Sequence, residues 1–150
     1  MSVGITSHSE EETRASGRRL AGLLRSGDVV LLSGELGSGK TIFASGIAEG
    51  LGVEKAVTSP SFVLARPYQG LLPMIHADVY RIDSIAELDD LDLLEAASDG
   101  VLVVEWGQAV EGSFPNHLMV RLEIAGPDER HIHLLPRGGW QDRPLGELAS

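Results

Sequence analysis

Two hydrophobic rhythms alternate along the chain. After Ser9, the positions Ala15, Arg19-Leu20, Leu23 and Leu24 recur at helical spacing among charged residues. Ser9 with Glu12 three residues on forms a capping box, and the acidic run Glu10-Glu11-Glu12 suits a helix start. The spacing predicts a helix that Gly27 ends. Val29-Val30-Leu31-Leu32 is apolar throughout and reads as a strand. A second helix is predicted from about Lys40 to Leu51, stopping at Gly52. Thr58-Ser59-Pro60-Ser61 reads as a loop. Phe62 to Tyr68 and Met74 to Tyr80 read as strands joined around Gln69-Gly70. Ser84 with Glu87 is another capping box, opening a helix through Leu88, Leu91 and Leu94 to about Ala97.

Val101-Leu102-Val103-Val104 has the all-apolar character of a buried central strand. Leu118 to Ile124 and His131 to Leu135, with Gly126-Pro127-Asp128 between them, predict a C-terminal hairpin. From Gly138 on, glycine, proline and charge show little periodicity. We therefore expect one domain over 1–137 and a loosely ordered tail over 138–150. Strands alternating with helices argue for an α/β layered fold, and the hairpins for a mixed sheet. In such a sheet ligands sit at the carboxyl ends of the strands.

Composition narrows the class. A chain of 150 residues suits one domain and buries about 70% of the surface its unfolded form exposes. There are no cysteines, which removes disulfides, thiolate metal sites and a cysteine nucleophile. The first dozen residues have neither a basic start nor an apolar run, and no stretch has the length of a membrane span, so the expected location is cytoplasmic. The net charge is −10, from 22 acidic and 12 basic residues, with no basic cluster beyond Arg18-Arg19. That argues against direct nucleic-acid binding, which needs cations to displace phosphate counterions.

The richest chemistry lies between the first strand and the second helix. Gly34-Glu35-Leu36-Gly37-Ser38-Gly39-Lys40-Thr41 fits G-x-x-x-x-G-K-[ST] at every fixed position, in the strand–loop–helix context the motif requires. The glycines let backbone N–H groups converge on an anion, and the helix start adds its positive end. The expected phosphate-binding set is Glu35, Leu36, Gly37, Ser38, Gly39, Lys40, Thr41 and Ile42. Lys40 would reach the β- and γ-phosphates of a nucleoside triphosphate, and the Thr41 hydroxyl would sit on Mg²⁺. The expected fold is then a three-layer, P-loop NTPase-like one with a mixed, mainly parallel central sheet and antiparallel hairpins.

Mg²⁺ also needs an acidic group at a nearby strand end, and Glu105 directly follows Val101–Val104. Otherwise it is a solvent-exposed strand-end carboxylate. Asp78, within His76-Ala77-Asp78-Val79-Tyr80-Arg81, could orient or deprotonate an attacking water, hold the metal's water shell, or pair with Arg81. His76 shares a strand face with Asp78. A lone histidine is more often a hydrogen-bonded core residue than a base. Trp106 reads as core or as a partner anchor.

GDVVLLSGELGSGKT, TSPSFVLARPY, HADVYRID and VLVVEWGQ, in this order, resemble the TsaE (YjeE) family of small bacterial P-loop ATPases. The resemblance runs from the first helix to the C-terminal hairpin. It implies binding of ATP and Mg²⁺, and a complex with TsaB and TsaD. That complex transfers a threonylcarbamoyl group to the adenosine 3′ of the anticodon, and this kind of subunit supports its turnover without carrying out the transfer. Contact with tRNA would be indirect, through the complex. Lys40 and Thr41 take the phosphate and Mg²⁺ roles, Glu105 is the second Mg²⁺ group, and Asp78 matches an acidic residue important for activity. Thr58 to Phe62 resembles a switch-like segment, with Ser61 where the family has threonine. Trp106 matches a tryptophan linked to function. Arg130 and the Thr6–Thr13 segment would lie near the nucleotide. Gln108 stands where many members carry an acid and is not assigned to the metal. Ala77 replaces a larger apolar residue.

Two other readings differ in class. A P-loop small-molecule kinase usually carries an arginine-rich lid, whereas Arg66, Arg81, Arg121 and Arg130 are scattered. A GTPase-like switch would carry the guanine-reading N-K-x-D motif, which this chain lacks.

Overall fold

Six consecutive buried residues, Asp28–Ser33, form the strand at the middle of a seven-stranded sheet. In the computed structural model, which describes residues 2–58, 65–79, 95 and 98–149, the elements are β1 Val3–Ser7, α1 Glu10–Ala21, β2 Asp28–Ser33 and α2 Lys40–Gly50. They continue with β3 Ala65–Tyr68, β4 Met74–Asp78, β5 Val101–Glu105, β6 His117–Ile124 and β7 Arg130–Arg137. Short 3₁₀ segments cover Gly107–Ser113, Gly138–Asp142 and Leu145–Leu148. The sheet order is β1-β7-β6-β2-β5-β4-β3.

The sheet is mixed, as expected. Three pairings are parallel and three antiparallel. The parallel ones, β6-β2-β5-β4, occupy the centre, where both faces are covered and continuous apolar runs belong. Hairpins build the flanks. Side chains along β2 alternate between two cores. Val30 and Leu32 pack with Leu20, Phe43 and Ile47 under α1 and α2. Val29 and Leu31 pack with Leu102, Val104, Val110 and Phe114 on the opposite face, partly under the 3₁₀ segment Gly107–Ser113.

The two helices touch backbone to backbone. A Cβ at Gly46 would collide with the Arg14 carbonyl, and one at Gly17 with the Phe43 carbonyl. Glycine at both positions is what allows this approach. Ser9 caps α1 as expected, its hydroxyl accepting from Glu12 N at 3.0 Å. The helix closes at Ala21 rather than running on to Gly27. The N–H groups of Gly22, Leu23 and Leu24 bond three residues back, tightening the chain into a 3₁₀-type end. The expected strands over Phe62–Tyr68 and Met74–Tyr80 are present as β3 and β4; residues 62–64 and 80 lie outside the described residues, as does almost all of the helix expected from Ser84 to Ala97.

Two features were not expected. β1 pairs antiparallel with β7, from Val3 opposite Leu134 to Ser7 opposite Arg130. The chain after Arg137 is packed rather than loose. Trp140, Leu145 and Leu148 are buried and join the helix-side core. Arg143 forks onto Asp28 with two bonds of 2.7 and 2.8 Å, donates to the Leu23 carbonyl, and lies over the Trp140 ring. Three anchors in thirteen residues, only Leu145 and Leu148 at helical spacing, are too few to set a period, so local patterning could not reveal them.

Arg143→Ala should therefore destabilise the fold by about 3 kcal/mol, because it leaves the buried Asp28 carboxylate with the Arg25 N–H but no cation. Urea unfolding measures this, and a loss under about 0.5 kcal/mol would show that the fork does not hold the tail.

Candidate functional site

The carboxyl ends of β2, β5 and β4 lie side by side. In the parallel register Leu32 is opposite Glu105 and Glu105 opposite Asp78. The chain leaving β2 must turn at once into α2. It does so through Gly34, Gly37 and Gly39, with φ of 148°, 82° and 104°. At Gly34 a Cβ would also sit 2.5 Å from the Leu122 carbonyl and from Ser38 Oγ. Neither the conformation nor the space admits another residue.

The side chains around this loop converge on Glu105, which is only 4% exposed. The Thr41 hydroxyl, in the first turn of α2, donates to Glu105 Oε2 at 2.8 Å, with Oε1 at 3.0 Å. His76 Nε2 lies 2.7 Å from Glu105 Oε2. An ionised carboxylate only accepts, so His76 carries its proton on Nε2. Its Nδ1 is buried without a hydrogen-bond partner, and the ring is fully buried. His76 is thus both the buried histidine expected from its strand and a direct partner of the carboxylate. The alternation His76-x-Asp78 was visible, but the register that brings β4 beside β5 was not.

Lys40 turns back onto its own loop. Its Nζ donates to the Gly34 carbonyl at 2.7 Å and the Glu35 carbonyl at 3.0 Å, and lies 4.0 Å from the centroid of the Trp106 ring. Burial lowers its pKa, opposed by the negative charges of Glu105 and Asp78. Trp106 holds this place with φ 61° and ψ 34°, the single non-glycine positive φ among the described residues. Backbone strain of this kind concentrates at functional sites.

The sequence-named residues divide among three cavities. Leu36, Gly37, Gly39, Lys40, Thr41 and Ile42 line one of about 300 Å³, together with Asp78, Glu105 and Trp106. Ser38 and Arg130 line a neighbouring hollow of about 80 Å³ with Ser9, Glu10 and Thr13. Arg130 also reaches the loop, donating to the Gly37 carbonyl at 3.3 Å. Glu35 points elsewhere, into a cleft of about 580 Å³ beyond Trp106, which Gln108 also lines. Apart from Thr58, the expected switch-like segment lies outside the described residues, as do Tyr80 and Arg81.

The arrangement is suited to an anion held against oxygen donors. The glycine loop and Lys40 line the cavity, and Thr41 Oγ1 with Glu105 offers the hard oxygen ligands that Mg²⁺ selects. Ser38 Oγ is buried without a partner behind the loop. These residues fit a phosphate with its divalent cation.

His76→Ala should cost about 2 kcal/mol of stability, since it removes a donor from a buried carboxylate. Denaturant unfolding at neutral pH tests this; an unchanged midpoint would mean that Glu105 is satisfied without the histidine.

Comparison with known proteins bears on the family and the fold. Residues 7–132 match the family model described as "Threonylcarbamoyl adenosine biosynthesis protein TsaE". The chain is 51% identical to the tRNA threonylcarbamoyladenosine biosynthesis protein TsaE of Streptomyces coelicolor, covering 91% of this chain and 99% of that one. It is 43% identical to the protein of the same name from Bacillus subtilis, covering 93% and 89%. The crystal structure of Bacillus subtilis YdiB superposes with a TM-score of 0.81 at 32% identity, over 99% of this chain and 94% of that one. The fold, the glycine loop and these matches agree, and the chain belongs to the TsaE family of threonylcarbamoyl adenosine biosynthesis proteins.

Proposed function

We propose that this protein binds ATP with Mg²⁺ on the Gly34–Thr41 loop and hydrolyses it in the cytoplasm. In this reading it is the ATPase subunit of tRNA threonylcarbamoyladenosine synthesis, and sustains turnover by TsaB and TsaD homologues that hold the tRNA and carry out the transfer. The observation that carries the reading is the bond from Thr41 to Glu105, formed in the same cavity as Lys40 and Asp78. A hydroxyl and a carboxylate from elements 64 residues apart meet where a phosphate-bound cation would need them.

The residues have separable tasks. Lys40 exchanges the Gly34 and Glu35 carbonyls for β- and γ-phosphate oxygens. Thr41 and Glu105 would hold Mg²⁺, which when bound would offset charge developing on the transferred phosphoryl group. His76 fixes the orientation of Glu105. Asp78, beside Glu105 in the sheet, orients the attacking water and receives its proton. Arg130, with Ser9 and Thr13, borders the nucleoside end of the ligand. The names of the relatives support the modification pathway, and a net charge of −10 supports leaving tRNA contact to partners.

Lys40→Ala should weaken ATP binding at least about tenfold, because a charged hydrogen bond to phosphate is lost. Asp78→Ala should leave ATP affinity within about twofold and reduce hydrolysis about 100-fold. Calorimetry with single-turnover assays separates the two, and the reverse pattern would exchange their roles.

Hydrolysis by the purified protein, alone and with TsaB and TsaD from the same organism, tests the wider proposal. Weak activity alone that rises with the pair is expected. Robust activity alone, unchanged by the pair, would favour a small-molecule kinase and a search for its acceptor.

A further inference from the structure

Among the described residues, four buried side-chain atoms lack a hydrogen-bond partner: Ser38 Oγ, Arg66 Nε, His76 Nδ1 and Ser113 Oγ. Native proteins leave few such groups, and each one calls for a reason. Two of the four belong to neighbouring side chains. Arg66 on β3 pairs directly with His76 on β4. Directly opposite residues of an antiparallel pair project to the same face, with Cβ atoms about 5 Å apart. That face is the helix side, because Tyr68 and Met74, the pair two residues along both strands, belong to its core.

The two atoms are complementary. The Nε of a guanidinium carries a hydrogen and only donates. His76 gives its Nε2 proton to Glu105 at 2.7 Å, which leaves Nδ1 as an acceptor. The Arg66 side chain is committed to nothing else, since it makes no hydrogen bond or ion pair among the described residues. A lone buried donor and a lone buried acceptor each carry a desolvation cost, and one bond between them removes both.

We propose that Arg66 is a positioning residue for the cation site, its Nε–H donating to His76 Nδ1 directly or through one water. The chain of bonds then runs from Arg66 to His76 to Glu105, where Thr41 arrives from α2. A donor at Nδ1 fixes the imidazole in the Nε2–H tautomer, the one that serves Glu105, and holds the ring against turning over. Polarising the ring also strengthens its bond to the carboxylate. Glu105 is thereby held in one orientation before any cation arrives. The bond to Nδ1 stands on the strand register and the unpaired atoms alone, whereas its effect on the cation rests on the nucleotide reading. Partners of metal ligands are typically worth 10–100-fold in metal affinity, and Arg66 stands one bond further out, so about tenfold is expected. Arg66 is also the diagonal neighbour of Asp78 on β4, so the test must separate its donor from its charge.

The experiment compares the full chain with Arg66→Met, which keeps the length of the side chain without a donor, and Arg66→Gln. The glutamine amide nitrogen takes the chain position of Nε and carries no charge. Long-range ¹H–¹⁵N spectra of the nucleotide-free proteins read the His76 ring nitrogens. Calorimetry with the β,γ-imido analogue of ATP, in Mg²⁺ and in EDTA, reads the contribution of the cation as a ratio of affinities. The parent should show Nδ1 shifted upfield as a hydrogen-bonded acceptor. Arg66→Met should move that signal downfield and lower the ratio about tenfold, with affinity in EDTA kept within about twofold. Arg66→Gln should stay close to the parent in both. An Nδ1 signal that Arg66→Met leaves in place overturns the bond. Equal loss of the ratio in both variants overturns the donor's role in favour of the charge, and an unchanged ratio in Arg66→Met overturns the positioning role. If Mg²⁺ adds nothing to affinity in the parent, the nucleotide reading fails and the positioning role with it, while the Nδ1 signal still decides the bond.

Discussion

Glu105 is a carboxylate buried at the end of the central strands, and the hydrogen bonds that reach it come from Thr41 and His76, on two other elements. Burying such a group without donors costs several kcal/mol. The donors in turn require the fold to be what it is. Thr41 arrives only if the loop after β2 turns within six residues, from Gly34 to Gly39. His76 arrives only if β4 lies parallel to β5 in the observed register. The covered parallel centre of the sheet supplies that register, and the hairpins close its edges. The site is therefore an outcome of the sheet rather than an addition to it.

The loop holds its own lysine by contacts that a better acceptor can replace. Two neutral carbonyls and the face of one indole stabilise the Lys40 ammonium, while burial works against its charge. A phosphate oxygen shares a formal negative charge and makes the shorter, stronger charge-assisted bond. In the proposed cycle the exchange is favourable, and it frees Trp106 from the lysine at the same time. The tryptophan's left-handed backbone is maintained by its neighbour: a Cβ on Gly107 would fall 2.5 Å from Leu31 Cβ, so the chain after β5 has room for one path only.

Much of this was legible in the sequence. Strand-loop-helix around Gly34–Thr41 was readable because the motif fixes consecutive backbone positions, and Glu105 because it ends an uninterrupted apolar run. The convergence of His76 on Glu105 was not, since pairing between strands 29 residues apart leaves no trace in local spacing. β1 was missed because its alternation spans five residues, Val3–Ser7, and includes one glycine, too little to separate from an irregular start. The tail was misread for a related reason. Arg143 finds Asp28 across 115 residues, and such a contact depends on topology, not on period.

Sharing Trp106 between two cavities has a thermodynamic consequence. If a ligand in the outer cleft prefers one placement of the indole, and phosphate in the inner cavity prefers the same or the other, each ligand must change the affinity of the other by the same factor. The coupling needs no long pathway, because one ring and the Gly34–Glu35 carbonyls separate the two spaces. Its ceiling is set by the contacts that can be exchanged, one cation–π contact and two carbonyl bonds, or about 1–3 kcal/mol. That range corresponds to roughly five- to 150-fold in affinity. Such a wall lets occupancy of one space change affinity in the other without any rearrangement of the sheet.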